Sequence, residues 1–181
     1  NKSAAELEMA ITHKIGCIVI DNFYEIDLLE ALLEKHQAEM DVLIRVTPGV
    51  DINTHQYIIT GNEDSKFGFS LVNKQADEAF KRLYQHERIR FKGVHCHIGS
   101  QIFETVGFIK AIERLYDTLK EWHQTYDYVP EVLNVGGGYG IRYTADDEPL
   151  PYERYVEEIV EAVTHHSEQL QITVPEIWIE P

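Results

Sequence analysis

At 181 residues the chain is long enough to bury one substantial core. Its 31 Asp and Glu against 16 Lys and Arg give a formal net charge of −15, a surface that nucleic acid and anionic membranes repel, so neither is an expected partner. No apolar run reaches membrane-spanning length, no secretory signal opens the sequence, and Cys17 and Cys96 sit singly in apolar runs, the pattern of reduced thiols in a cytoplasmic protein.

In chain order, Ser3 and Glu6 have the spacing of a capping box before a helix carrying Leu7, Ala10 and Ile11. Gly16 breaks it, and Cys17-Ile18-Val19-Ile20 reads as a strand. A helix with Ile26, Leu29, Leu32 and Leu33 on one face leads to a second strand, Val42 to Val46, closed by Thr47-Pro48-Gly49. From Asp51 to Leu71 the pattern weakens into a polar excursion. Asn73 is placed to cap a helix with Ala76, Ala79, Phe80, Leu83 and Tyr84 inward, before a strand from Phe91 to His97. Phe108, Ile112, Leu115, Leu119 and Trp122 recur at spacings of three and four, predicting an amphipathic helix. Val132 to Val135 is a strand, followed by an acidic surface loop through Asp146-Asp147-Glu148. Tyr152, Tyr155, Val156, Ile159, Val160 and Val163 mark the last helix face, and Glu176 to Glu180 the last strand.

Five strands apolar on both faces, separated by amphipathic helices, predict an α/β fold with a parallel sheet covered by helices. A small doubly wound sheet and part of an eight-stranded barrel both fit. A whole (β/α)₈ barrel takes about 250 residues. Both ends of the sequence look cut, which favours a partial barrel of the TIM type, one domain over 1–181.

Polar, Gly-rich exits from parallel strands are where α/β proteins place their chemistry. Two stand out, His95-Cys96-His97-Ile98-Gly99-Ser100-Gln101 and Gly136-Gly137-Gly138-Tyr139-Gly140. The triple glycine offers successive backbone N–H groups to an anion such as phosphate, and three glycines are costly unless backbone must approach closely. It has neither the dinucleotide spacing nor the P-loop Lys-Ser/Thr pair. His95 and His97, two apart on a strand, share a face. His97, at the polar exit, is the ligand-facing one, and His95, one pleat deeper, supports it. Zinc held by both lacks an obvious third ligand, so no metal is expected. Glu180 adds a carboxylate at the end of a third apolar run.

In this order these motifs, with Ser65-Lys66-Phe67-Gly68, the opening Asn1-Lys2-Ser3 and the closing Glu180-Pro181, resemble those of the fold-type III, pyridoxal-phosphate-dependent decarboxylases. Gln101-Ile102 and Gly140-Ile141-Arg142-Tyr143 with its acidic follow-on resemble the diaminopimelate decarboxylase branch. The resemblance implies a (β/α)₈ barrel with a separate β domain, about five of the eight strands being present here. It also implies pyridoxal 5′-phosphate, with His97 stacked on the ring, Ser100 and Gly136, Gly137 and Gly138 on the phosphate, and Glu180, followed by Pro181, on the ring nitrogen. Lys66 resembles the family lysine that crosses a homodimer interface. The implied reaction releases CO₂ from meso-2,6-diaminopimelate to give L-lysine. Arginine, ornithine or carboxynorspermidine decarboxylases are the alternatives within the family, and a non-catalytic pyridoxal-phosphate-binding barrel the alternative outside it. Nothing here matches the family's Schiff-base lysine, the Gly-Arg expected after Pro181, or the C-terminal domain, so the isolated chain is expected to be inactive.

Overall fold

The computed structural model describes residues 1–50 and 66–181. The chain forms two compact units, Asn1–Thr47 with 66–95, and 48–50 with 96–181. Most of the polar excursion expected after Asp51, including Ser65, lies outside the described residues.

In the first unit, helix α1 (Ala4–Thr12) starts at the expected capping box, with Ser3 Oγ accepting from the Glu6 N–H and Glu6 accepting from the Ser3 N–H. Strand β1 (Ile18–Ile20) follows, then α2 (Phe23–His36), capped by Asn22 Oδ1 on the Glu25 N–H at 2.9 Å. Strand β2 (Met40–Thr47) pairs in parallel with β1, aligning Ile18 with Val42 and Ile20 with Ile44. Its other edge carries β4 (Ile89–His95), also parallel, with Lys92 as an extra residue where Val42 faces Phe91 and Leu43 faces Gly93. Ile20, Val42, Leu43 and Ile44 have no exposed surface, as strands covered on both faces require.

Two features differ from expectation. Phe69–Ser70 form a short parallel strand, β3, on Val46–Thr47, too brief to show a period in sequence. Helix α3 (Gln75–Tyr84) is entered through Lys74 in a left-handed conformation, φ 64°, without a side-chain cap. Asn73 instead accepts from the Gln75 N–H at 3.2 Å, closing a local turn. Ala76, Ala79, Phe80 and Leu83 are buried as predicted, whereas Tyr84 is exposed and stacks on Phe80.

A buried polar cluster fastens the start of this unit. The Glu25 carboxylate, 1% exposed, accepts from the Lys2 N–H, the Asp21 N–H and the Lys2 ammonium, and that ammonium also donates to the Val19 carbonyl. Burial works to raise the Glu25 carboxyl, but these donors outweigh it and hold it below its ordinary value.

The second unit holds α4 (Val106–Tyr126), β5 (Val132–Asn134), α5 (Tyr152–Leu170) and β6 (Glu176–Trp178). Strands β5 and β6 are parallel, Leu133 facing Ile177, with α5 as their crossover. Phe108, Ile112, Leu115, Leu119 and Trp122 are all buried, as the periodicity of α4 predicts. On α5 the sequence shows two adjacent apolar stripes and the fold buries one. Tyr155, Ile159 and Val163 are inside; Tyr152, Val156 and Val160, expected with them, are 52%, 40% and 43% exposed. Residues at i and i+4 share a stripe, and stripes offset by three residues are turned about 60° apart. Tyr116 of α4 ties the helices together, its hydroxyl 2.6 Å from Ser167 Oγ and donating to the Val163 carbonyl.

Candidate active site

All the residues expected at the cofactor fall in the second unit, on three loops that touch. β4 stops at His95, short of the expected His97, so Cys96 to Gly99 lie beyond the strand. His95 is buried and His97 exposed, the order of depth read from the sequence. β5 stops at Asn134 and β6 at Trp178, each one or two residues earlier than expected, so the glycine run and Glu180 lie beyond their strands.

Backbone bonds lace the loops together. The Cys96 N–H donates to the Asn134 carbonyl, the Val135 N–H to Trp178, the Glu180 N–H to Gly136 at 2.7 Å, and the Ile102 N–H to Gly138. The glycines permit this approach. A Cβ on Gly136 would lie 2.4 Å from the Cys96 carbonyl oxygen and 3.2 Å from His97 Nδ1. On Gly137 it would lie 1.7 Å from the Glu180 carbonyl oxygen, and on Gly138 1.9 Å from that of Gly99. Gly136 and Gly138 also have positive φ, 72° and 89°. The backbone these glycines must clear is first of all the protein's own.

The N–H groups of the loop are not equivalent. That of Gly136 donates to Asn134 Oδ1 at 2.9 Å, while those of Gly137 and Gly138 have no acceptor among the described residues. Ser100, exposed, lies on the loop that Gly138 meets. Asn134, only 2% exposed, also donates from Nδ2 to Glu180 Oε1 at 2.8 Å. In the sequence it reads as part of an apolar strand; the one signal is an amide in a segment with no water to solvate it.

Gln101 and Ile102 brace the far side. The Gln101 side chain exchanges two 3.0 Å hydrogen bonds with the Ile141 backbone, and the Ile102 carbonyl accepts from the Gly140 N–H and the Tyr155 hydroxyl. Tyr139 packs against Phe108 and Tyr155, and burial pushes its hydroxyl up to about 12, so it stays protonated at neutral pH. The acidic loop is exposed, as read. Within it Asp147 accepts from the Tyr143 and Thr144 N–H groups, forming a local turn.

Lys66 belongs to the first unit and is exposed. Its neighbours are fixed: Thr47 Oγ1 donates to the Phe67 carbonyl, the Gly68 N–H donates to Asp21 Oδ1, and the Arg45 guanidinium lies 4.8 Å over the Phe67 ring. Among the described residues no group of three or more His, Cys, Asp or Glu is placed to hold a metal ion, and no helix is long and apolar enough to cross a membrane.

The model of the pyridoxal-binding domain of pyridoxal-dependent decarboxylases matches residues 1–181. The chain belongs to this family. Its fold is accordingly that of the family's TIM-type parallel α/β barrel domain, and its cofactor class is pyridoxal phosphate. The family member is 56% identical over 181 residues to the diaminopimelate decarboxylase of Bacillus subtilis and 40% identical to that of Staphylococcus aureus, covering all of this chain and 41% of each relative. Among solved structures it resembles the diaminopimelate decarboxylase of M. jannaschii in complex with L-lysine, with TM-score 0.89, 28% identity, and 100% and 41% of the two chains covered. The Helicobacter pylori enzyme complexed with L-lysine gives TM-score 0.82 at 29% identity, with 43% of that chain covered. The chain therefore spans about two fifths of the length of these relatives.

The residues present fit the cofactor. A planar pyridinium ring carrying a phosphate needs a ring to lie against, donors for its phosphate and a carboxylate for its ring nitrogen. Exposed His97, the Gly137 and Gly138 N–H groups, and Glu180 sit on contacting loops.

Proposed function

We propose that this chain is the cofactor-holding portion of a pyridoxal-phosphate-dependent diaminopimelate decarboxylase, which converts meso-2,6-diaminopimelate to L-lysine and CO₂. The observation that carries the reading is the meeting of His97, the triple-glycine loop and Glu180, the exits that carry His97 and Glu180 both being hydrogen-bonded to the exit that carries the glycines. Identity of 56% to an enzyme of that name supports the choice of substrate.

When bound, the charged pyridine ring supplies a sink for the electron pair released as CO₂ departs. The chain's own residues hold and tune that ring. His97 would stack on it. Ser100 Oγ and the N–H groups of Gly137 and Gly138 hold the phosphate, while Gly136 shapes the turn. Glu180, followed by Pro181, keeps the ring nitrogen protonated by offering it a negative oxygen. Lys66, on its anchored loop, reaches a partner copy in a homodimer. Cys17 and Cys96 are thiols and form no disulfide, which suits a cytoplasmic location.

The intact enzyme, assayed for CO₂ release, should act on meso-diaminopimelate and not on arginine, ornithine or carboxynorspermidine. A preference for one of the latter would overturn the substrate assignment. His97→Ala should weaken pyridoxal phosphate binding by about tenfold, the order expected of one lost stacking contact. His95→Ala should change that affinity less, and the reverse order would refute the assignment of the stacking face.

A further inference from the structure

The geometry points to Asn134 as a positioning residue that holds and aims the Glu180 carboxylate. The inference rests on the assignment of Glu180 to the cofactor's ring nitrogen. It concerns a residue outside the set assigned to the cofactor.

Asn134 has almost no exposed surface, and both ends of its amide are used. Oδ1 accepts from the Gly136 N–H, a group that can only donate. This settles which way the amide faces and leaves Nδ2 toward Glu180 Oε1, 2.8 Å away. An amide NH₂ only donates, so the Glu180 oxygen facing it must be an acceptor. A proton on that oxygen would break the contact. Asn134 thus gives the Glu180 carboxylate a donor, the contact that aims it toward a pyridinium N–H.

The backbone of the same residue takes part as well. Its carbonyl accepts from the Cys96 N–H at 2.9 Å, one residue before His97. One buried residue therefore bonds to the His97 loop, to the glycine loop and to the carboxylate, so the three parts of the cofactor site share one reference point. Stability alone would be served by an apolar residue at this end of a buried strand.

Asn134→Asp separates the two roles. Asp keeps the shape and the acceptor for the Gly136 N–H, but turns a carboxylate oxygen toward Glu180. Two carboxylates at that separation share a proton, which takes negative charge off Glu180. In the intact enzyme reconstituted with pyridoxal phosphate labelled with ¹⁵N in the ring, the ring-nitrogen resonance should move toward the unprotonated value. Cofactor affinity should change by less than about threefold, and kcat should fall about tenfold or more with KM nearly unchanged. In a Glu180→Gln background the same change should cost kcat almost nothing, because the group it acts through is gone. If Asn134→Asp does not fold, Asn134→Ser, neutral and smaller, is read by the same resonance and the same cycle.

An unmoved ring-nitrogen resonance, or a kcat loss that adds in full to that of Glu180→Gln, would overturn the inference and leave Asn134 as a strand residue. Failure of the unaltered enzyme to bind pyridoxal phosphate would instead overturn the cofactor reading beneath it.

Discussion

Gly137→Ala tests whether the glycine run exists to let the strand exits touch. Unlike its two neighbours, Gly137 has no positive φ, so the substitution adds a methyl group without backbone strain of its own. That methyl would sit 1.7 Å from the carbonyl oxygen of Glu180 and 2.6 Å from its carbonyl carbon, both backbone atoms unable to swing aside as a side-chain tip could. Clearing the shortest tolerable contact requires the Glu180 peptide to withdraw by about 1.3 Å, which pulls at the 2.7 Å bond from the Glu180 N–H to Gly136. Overpacking of this kind costs about 1–3 kcal/mol. The larger consequence is functional, because a 1 Å misplacement of a group acting on the reacting centre costs on the order of a hundredfold in rate. Steady-state kinetics on the intact enzyme should show kcat down by about that factor, with a crystal structure showing Glu180 displaced. Gly16→Ala, where nothing lies within 4 Å, is the control and should leave kcat unchanged. A Gly137→Ala enzyme with normal kcat would refute the reasoning, since it would show that the Glu180 carboxylate does not depend on this close approach.

Glu180→Gln in the intact enzyme keeps shape but removes the charge, and loss of a charge-assisted contact of about 2–3 kcal/mol should lower kcat about a hundredfold with little change in KM; an unchanged kcat would reduce Glu180 to a strand-end carboxylate. The Glu25 carboxyl is held below its ordinary value of 4.5 in the fold, so its contribution to stability is complete above that pH and is lost as pH falls through the lower folded value. Glu25→Gln should therefore destabilise the protein at neutral pH by about 2–3 kcal/mol and flatten the decline in stability below about pH 4.5, read from denaturant midpoints across pH. Equal slopes in the two proteins would rule out that linkage. Tyr116→Phe leaves the fully buried Ser167 hydroxyl without its 2.6 Å tyrosine partner, and should cost about 1–2 kcal/mol in the same measurement with no effect on kcat.

The sequence by itself determined the elements and their class. Alternation of apolar runs with helical periodicity is a local signal, so β1, β2, α2 and α4 were legible, and so was the capping box at Ser3 and Glu6. The motif order was enough to identify the family and to nominate His97, Gly136 to Gly138 and Glu180. Tertiary structure alone decided what a period cannot encode. It chose which of two apolar stripes on α5 faces inward, because that depends on what lies opposite. It added β3, a pairing of two residues whose partners are more than twenty positions away. It showed that the close approach made possible by the glycines is to neighbouring strand exits, and that the Gly136 N–H is already engaged by a side chain. Asn134 is the clearest case. In sequence it is one polar residue inside an apolar strand, and its meaning comes from Glu180, 46 positions further on. Hydrogen bonds are short-range and directional, so which groups a buried amide satisfies is settled only when distant strands are brought into register.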